Sequence, residues 1–215
     1  MRDAMFFDRD DAGRKLARAL GDLPNDALIL GIPRGGVTVA RAVADELQRP
    51  LDVLVVRKLG APHNPELAIG AIGPNGAITL DQDVLRALPN MPAEYIERVA
   101  AGELDEIQRR LKIYRGDEPF PDVRGRAVVV VDDGIATGST ARAALRWLRA
   151  QEAKPIVLAV PVAPEQAASE FRDEADRIVI LAAPQRFFAV GQWYDNFEQV
   201  TDDEVVAALR QTRAP

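Results

Sequence analysis

The chain has 215 residues, no cysteine and a formal net charge of −6. Disulfides, thiolate metal sites and a cysteine nucleophile are therefore excluded, and general nucleic-acid binding, which depends on an excess of basic charge, is disfavoured. The opening MRDAMFFDRDD lacks the apolar core of a signal peptide, and an apolar run such as 156–160 is far too short to cross a bilayer, so a soluble, cytoplasmic protein with no membrane partner is expected.

In chain order, Ala12, Leu16, Ala19 and Leu20 recur at helical spacing and predict a first helix. The β-branched run 27–32 follows as a strand, then a helix on which Val37, Ala40, Val43, Ala44 and Leu47 share a face. A second strand is expected at 51–56. Residues 67–80 read as a β-hairpin turning at Pro74-Asn75-Gly76. Residues 93–114 form a long amphipathic helix with Ile96, Ala100, Leu104, Ile107 and Leu111 on one side, a cover on the core lying within a helical insertion at 81–120. Strands at 127–131, 156–160 and 178–181 follow, with a helix carrying Ala141, Ala144, Leu145 and Leu148 after the first of them. Thr201-Asp202-Asp203-Glu204 is a capping box that opens a last helix through Leu209. Strands without polar alternation, interleaved with helices, indicate a single α/β domain over 1–215, built on an open, mainly parallel twisted sheet flanked by helices.

In such sheets ligands bind beyond the carboxyl ends of the strands, and those ends carry the unusual residues. Residues 128–140, VVVVDDGIATGST, run from a buried strand into Asp132 and Asp133, then into a turn of Gly134, Ile135, Ala136, Thr137, Gly138, Ser139 and Thr140. Backbone N–H groups, hydroxyls and the following helix N-terminus suit a phosphate. The carboxylates are acceptors for sugar hydroxyls and attract Mg2+ or its waters. No lysine is present in the turn, which sets it apart from nucleotide-hydrolase loops. A second strand end carries Pro33-Arg34-Gly35-Gly36, whose glycines allow close backbone approach and whose arginine can grip phosphate oxygens in pairs. A third carries Arg57-Lys58-Leu59-Gly60-Ala61-Pro62-His63, two cations opening a Gly/Pro-rich stretch that reads as a mobile lid over an anion. Late in the chain comes Phe187-Phe188-Ala189-Val190-Gly191-Gln192-Trp193-Tyr194-Asp195.

Four apolar residues, two acidic ones and a Thr-Gly-x-Thr turn resemble the phosphoribosyl-pyrophosphate (PRPP) signature of the type I phosphoribosyltransferases. The resemblance implies that Asp132 and Asp133 hold the ribose hydroxyls and that residues 134–140 hold the 5′-phosphate. Pro33, Arg34, Gly35 and Gly36 are similar to that family's pyrophosphate loop. Arg57, Lys58 and His63 are similar to the catalytic lid of orotate phosphoribosyltransferases, although the lysine expected at position 61 is Ala61. The Phe-x-Val-Gly-x-x-x-Asp segment resembles the base-binding hood of hypoxanthine-guanine phosphoribosyltransferases. It implies a hood at 184–200, base contacts from Phe188, Val190 and Trp193, and a metal contact from Asp195 beside Asp132 and Asp133.

The implied activity is Mg2+-dependent transfer of the phosphoribosyl group from PRPP to a nitrogen acceptor with release of pyrophosphate. Lys58, Arg57, His63 and Asp133 are the candidate catalytic residues, in an enzyme of nucleotide salvage that commonly forms a homodimer. Ala136 stands where oxopurine enzymes carry an acid, so the motifs mix subfamilies and leave the acceptor open. A non-catalytic PRPP sensor on the same fold is the alternative, and PRPP synthesis a weaker one.

Overall fold

A computed structural model describes residues 4–88 and 91–212. Helix α1 (Arg9–Leu20) begins at an N-cap, Asp8, whose carboxylate accepts from the Asp11 N–H at 2.8 Å. Strand β1 (Leu28–Gly31) leads through helix α2 (Gly35–Leu47) to β2 (Leu51–Val53). Three strands, β3 (Arg57–Ala61), β4 (Asn64–Ile72) and β5 (Ile78–Leu80), form a separate antiparallel sheet, followed by α3 (Gln82–Ala87) and α4 (Ala93–Arg115). The core then resumes with β6 (Val128–Val131), α5 (Ser139–Ala150), β7 (Ile156–Val162), the short α6 (Ala167–Glu170), β8 (Arg177–Ala182) and α7 (Asp202–Thr212).

The main sheet has five strands in the order β2-β1-β6-β7-β8, all parallel. Because side chains alternate across a strand, Ile29, Val129, Val131, Val157 and Ala159 join one core with α1, α2 and α7. Leu28, Leu30, Val128, Val130, Leu158 and Val160 join another with α5. Both faces are covered, which is why these strands read as unbroken apolar runs. Chain order reverses between β1, which proceeds to β2, and β6, which proceeds to β7. That switch point is where an open sheet leaves a crevice for ligands.

Two expectations change. Ala19 is exposed, and Ala17 takes its place among the buried residues of α1 with Ala12, Leu16 and Leu20. Residues 57–61, read as the start of a lid loop, form a strand paired to β4 with register shifts at Leu59/Gly60 and Gly60/Ala61. Leu59 and Ala61 point into the core, and a turn at Pro62-His63 with His63 at φ 62° reverses the chain. The hairpin turning at residues 74–76 is present, as the β4–β5 pair. A methyl group at Gly73 would collide with the Trp147 ring, so this small sheet docks tightly on α5. The 81–120 segment supplies α3 and α4, and α4 lies against β3 and α7.

Candidate functional site

Pairing brings the first two motifs together. Gly31 stands opposite Val131 in the parallel β1–β6 ladder, and the Ile32 N–H continues it to the Val131 carbonyl at 2.9 Å. The Pro33-Arg34-Gly35-Gly36 loop therefore leaves the sheet beside Asp132 and Asp133. A Cβ on Gly36 would come within 2.8 Å of the Val131 carbonyl oxygen, and one on Gly35 would overlap the Asp133 carboxylate. Glycine is required here because Gly36 touches the backbone of the acidic loop and Gly35 its Asp133 side chain. The Pro33–Arg34 peptide is cis.

The acidic pair is held by its surroundings. Asp132 Oδ1 accepts from the Asp133 N–H at 2.8 Å. Burial, together with the neighbouring Asp133 charge, pushes the Asp132 carboxyl well above the ordinary carboxylate range. Burial also raises Asp133, against the pull of Arg9. Arg9 was not singled out from the sequence. Its Nε and Nη2 both lie 2.8 Å from Asp133 Oδ2, its Nη1 donates to the Glu198 carbonyl at 2.8 Å, and its guanidinium lies 3.9 Å from the centre of the Phe197 ring. Among the described residues, Arg9 is the cation paired to these half-buried carboxylates. No local pattern announces Arg9, because its partner is 124 positions away.

The turn after Asp133 is shaped by glycines. Gly138 takes φ 74°, in the left-handed region that other residues resist, and starts α5 at Ser139. The Thr137 and Ser139 hydroxyls lie 3.3 Å apart. Residues 134–141, with Asp132, enclose a small recess of about 180 Å³ at that helix N-terminus, a place suited to an anion.

A larger cleft of about 480 Å³ lies alongside. It is lined by Pro33 of the first loop, Arg57 and Lys58 of β3, Thr137, Ser139 and Thr140 of the turn, and Tyr95, Val99, Glu103 and Arg110 of α4. Arg57 Nε donates to Glu103 Oε2 at 2.6 Å, and the Tyr95 hydroxyl donates to the Gly60 carbonyl at 3.0 Å. These contacts hold β3 to α4. Helix α4, expected only to cover the core, thus also forms a wall of the cleft. His63 is exposed at the β3–β4 turn and does not line the cleft.

The late segment closes the acidic loop from below. Val190–Trp193 is a single 3₁₀ turn. Val190 sits so close to Gly134 that a Cβ there would fall 2.5 Å from its Cγ1. The Trp193 carbonyl accepts the Met5 and Phe6 N–H groups at 3.1 Å, and Trp193 packs against the cluster of Phe6, Ala12, Val162 and Tyr194. The Tyr194 hydroxyl donates to the Asp133 carbonyl at 2.5 Å. Val190 thus packs against the loop and Trp193 on the neighbouring apolar cluster, whereas Phe188 is 85% exposed. Asp195 is exposed and gives its N–H to the Phe6 carbonyl at 2.9 Å.

Among the described residues, no three acidic or histidine side chains gather as a metal cage, so Asp195 does not complete one with Asp132 and Asp133. A carboxylate pair short of positive charge fits a Mg2+ that keeps most of its ligands as water and substrate oxygens.

Comparison with known proteins agrees with this geometry. The phosphoribosyl transferase domain family matches residues 8–195. A Mycobacterium tuberculosis H37Rv protein, provisionally named a phosphoribosyl transferase, is 52% identical over 206 residues, covering 95% of this chain. The chain spans only 46% of that relative's length. The crystal structure of TT1426 from Thermus thermophilus superposes with a TM-score of 0.90 at 42% identity, covering all of both chains. The structure of the AQ2163 protein from Aquifex aeolicus shares the fold, with a TM-score of 0.50 at 14% identity over 85% of this chain and 78% of its own. With the family matching from the N-cap of α1 to Asp195 and the acidic loop at the sheet's switch point, the chain belongs to the phosphoribosyl transferase domain family.

Proposed function

We propose that the chain transfers the 5-phosphoribosyl group of PRPP to a nitrogen nucleophile, a nucleobase or a related amine, releasing pyrophosphate. The observation that carries this reading is the meeting, at one switch point, of a half-buried carboxylate pair, a phosphate-sized recess at a helix N-terminus and a cationic cleft. The three match the ribose hydroxyls, the 5′-phosphate and the pyrophosphate of one substrate.

In this reading residues 134–140 hold the 5′-phosphate through N–H groups and hydroxyls. Asp132 and Asp133 fix the ribose hydroxyls, and their field favours the positive charge that develops at the anomeric carbon as the bond to pyrophosphate breaks. Arg34, Arg57 and Lys58 take up the negative charge of the leaving group. Asp132 and Asp133 would hold Mg2+ through its waters, and the ion would supply further neutralisation of the diphosphate. The acceptor's nitrogen attacks as the leaving group departs, and no covalent enzyme intermediate is needed. Phe188 offers the exposed aromatic face on which a planar acceptor could stack. His63 and Asp195 contribute only if the hairpin and hood close further over substrate.

The test is pyrophosphate release from PRPP and Mg2+ across a panel of bases and amines. Acceptor-dependent release is expected. Tight PRPP binding with no release for any acceptor would instead identify a PRPP sensor. Unchanged PRPP affinity in the double variant Asp132→Asn/Asp133→Asn would remove the reading altogether.

A further inference from the structure

We infer that Arg110, on helix α4, is a pyrophosphate-contacting residue; the inference rests on the PRPP reading above. Tyr95, Val99, Glu103 and Arg110 fall along one stripe of α4 at helical spacing, and all four line the cleft opposite Pro33 and beside Arg57 and Lys58. The stripe that faces the core is the adjacent one, containing Ala100 and Ile107. Sequence patterning therefore divides α4 into a packing edge and a cleft edge, and the cleft edge ends in an arginine.

The chemistry of that wall is selective. Glu103 is already committed to Arg57 at 2.6 Å. Glu106 engages Arg110 through Nε alone, at 2.6 Å. Among the described residues its two Nη groups have no partner, so the fork that grips phosphate oxygens in pairs is available to the cleft. Its side chain is 30% exposed.

The adjoining β3 strand lacks a third cation. Position 61 is an alanine, 3% exposed, turned into the core between β3 and β4. Charge that β3 cannot supply from that position is supplied across the cleft by α4. Arg110 would meet the diphosphate and leave the ribose 5-phosphate half untouched, because it lines the larger cleft and not the recess built from residues 134–141.

That asymmetry gives the test. Binding of inorganic pyrophosphate, PRPP and ribose 5-phosphate is measured by calorimetry with Mg2+, on the wild type, Arg110→Gln, Arg110→Lys and Arg109→Gln. Arg109 sits on the exposed side of α4 and does not line the cleft. Arg110→Gln is expected to weaken pyrophosphate and PRPP at least about ten-fold and leave ribose 5-phosphate unchanged. Arg110→Lys, which keeps the charge and loses the fork, should recover part of that loss, and Arg109→Gln should match the wild type. Should Arg110→Gln fail to fold, a selective loss of pyrophosphate affinity in Arg110→Lys supports the assignment in its place. Wild-type pyrophosphate affinity in the Arg110 variants overturns it, as does an equal loss of all three ligands, which would mark a structural role. A wild type that binds neither PRPP nor pyrophosphate refutes the PRPP reading itself, a distinct result.

Discussion

Asp132 shows what this site costs the fold. A carboxylate half-buried at a strand end, beside a second one, is disfavoured in its charged form. Asparagine keeps the shape and the acceptor for the Asp133 N–H while removing the charge. Asp132→Asn is therefore expected to raise Tm, by about 2–4 °C for each kcal/mol relieved, and to abolish PRPP binding. Calorimetric melting beside a binding titration checks both, and a lower Tm with retained binding would contradict this account. At this scale the sequence was informative where chemistry is local. Asp132, Asp133 and the glycines of both loops could be read because their neighbours in the chain are their neighbours in space. Arg9 and Tyr194 could not, since each reaches Asp133 from a distant part of the chain. Val190 and Trp193 matched a base-binding pattern; Val190 packs against Gly134, and Trp193 rests on the cluster of Phe6 and Tyr194.

Among the elements, α4 ties the cleft wall to the main sheet at its far end. Arg115, in its last turn, forms an ion pair with Asp52 of β2, and both side chains are buried. Asp52 also accepts the Val53 N–H at 2.7 Å. Removing one partner of a buried pair strands the other's charge. Arg115→Ala should therefore cost about 3–5 kcal/mol of unfolding free energy, whereas the joint change Arg115→Met/Asp52→Leu should cost far less. Denaturant unfolding of the three proteins decides this, and equal losses would show that packing rather than charge dominates. The apolar stripe of α4 and the runs of β1, β6 and β7 were legible because burial demands period and continuity. Strand β3 was not, because its Lys-Leu-Gly-Ala sequence carries turn residues, and its strand form comes from pairing with β4 across register shifts.

Over the whole molecule, the two sheets and the peripheral segments are joined by carboxylates. Burial would raise Asp81, but hydrogen bonds from the Val84 N–H and from Arg146 hold it below the ordinary value of 3.8. Asp176 is likewise lowered despite burial, by Arg149 and the Ile156 N–H. Asp81 links the small sheet through Arg146 to α5, and Asp176 links the entry of β8 to β7 and α5. A carboxyl group lowered in the folded state binds fewer protons there than in the unfolded chain. Its stabilisation is thus complete well above 3.8 and is lost as the pH falls through the lowered values. Melting temperature should drop steeply on acidification below about pH 4, and the drop should be shallower in Asp81→Asn/Asp176→Asn, which starts from a lower Tm at neutral pH. An unchanged slope would place the acid sensitivity elsewhere. The parallel topology was readable from the alternation of apolar runs and helical periods. The docking of the small sheet on α5 was not, because no sequence pattern records that Trp147 fills the space above Gly73.

The reach of Arg9 bears on how the protein is made. During synthesis a nascent chain that has emerged through α5 already contains the whole acidic motif and the Arg9–Asp133 pair. Phe197, on whose ring the guanidinium rests, and the Glu198 carbonyl that receives its remaining arm are translated later. Tyr194, which fastens the Asp133 backbone, arrives with them. The carboxylates thus reach their final setting only after residues 190–198 have closed beneath them, and a chain halted before that stretch would hold the signature residues in an unfinished site.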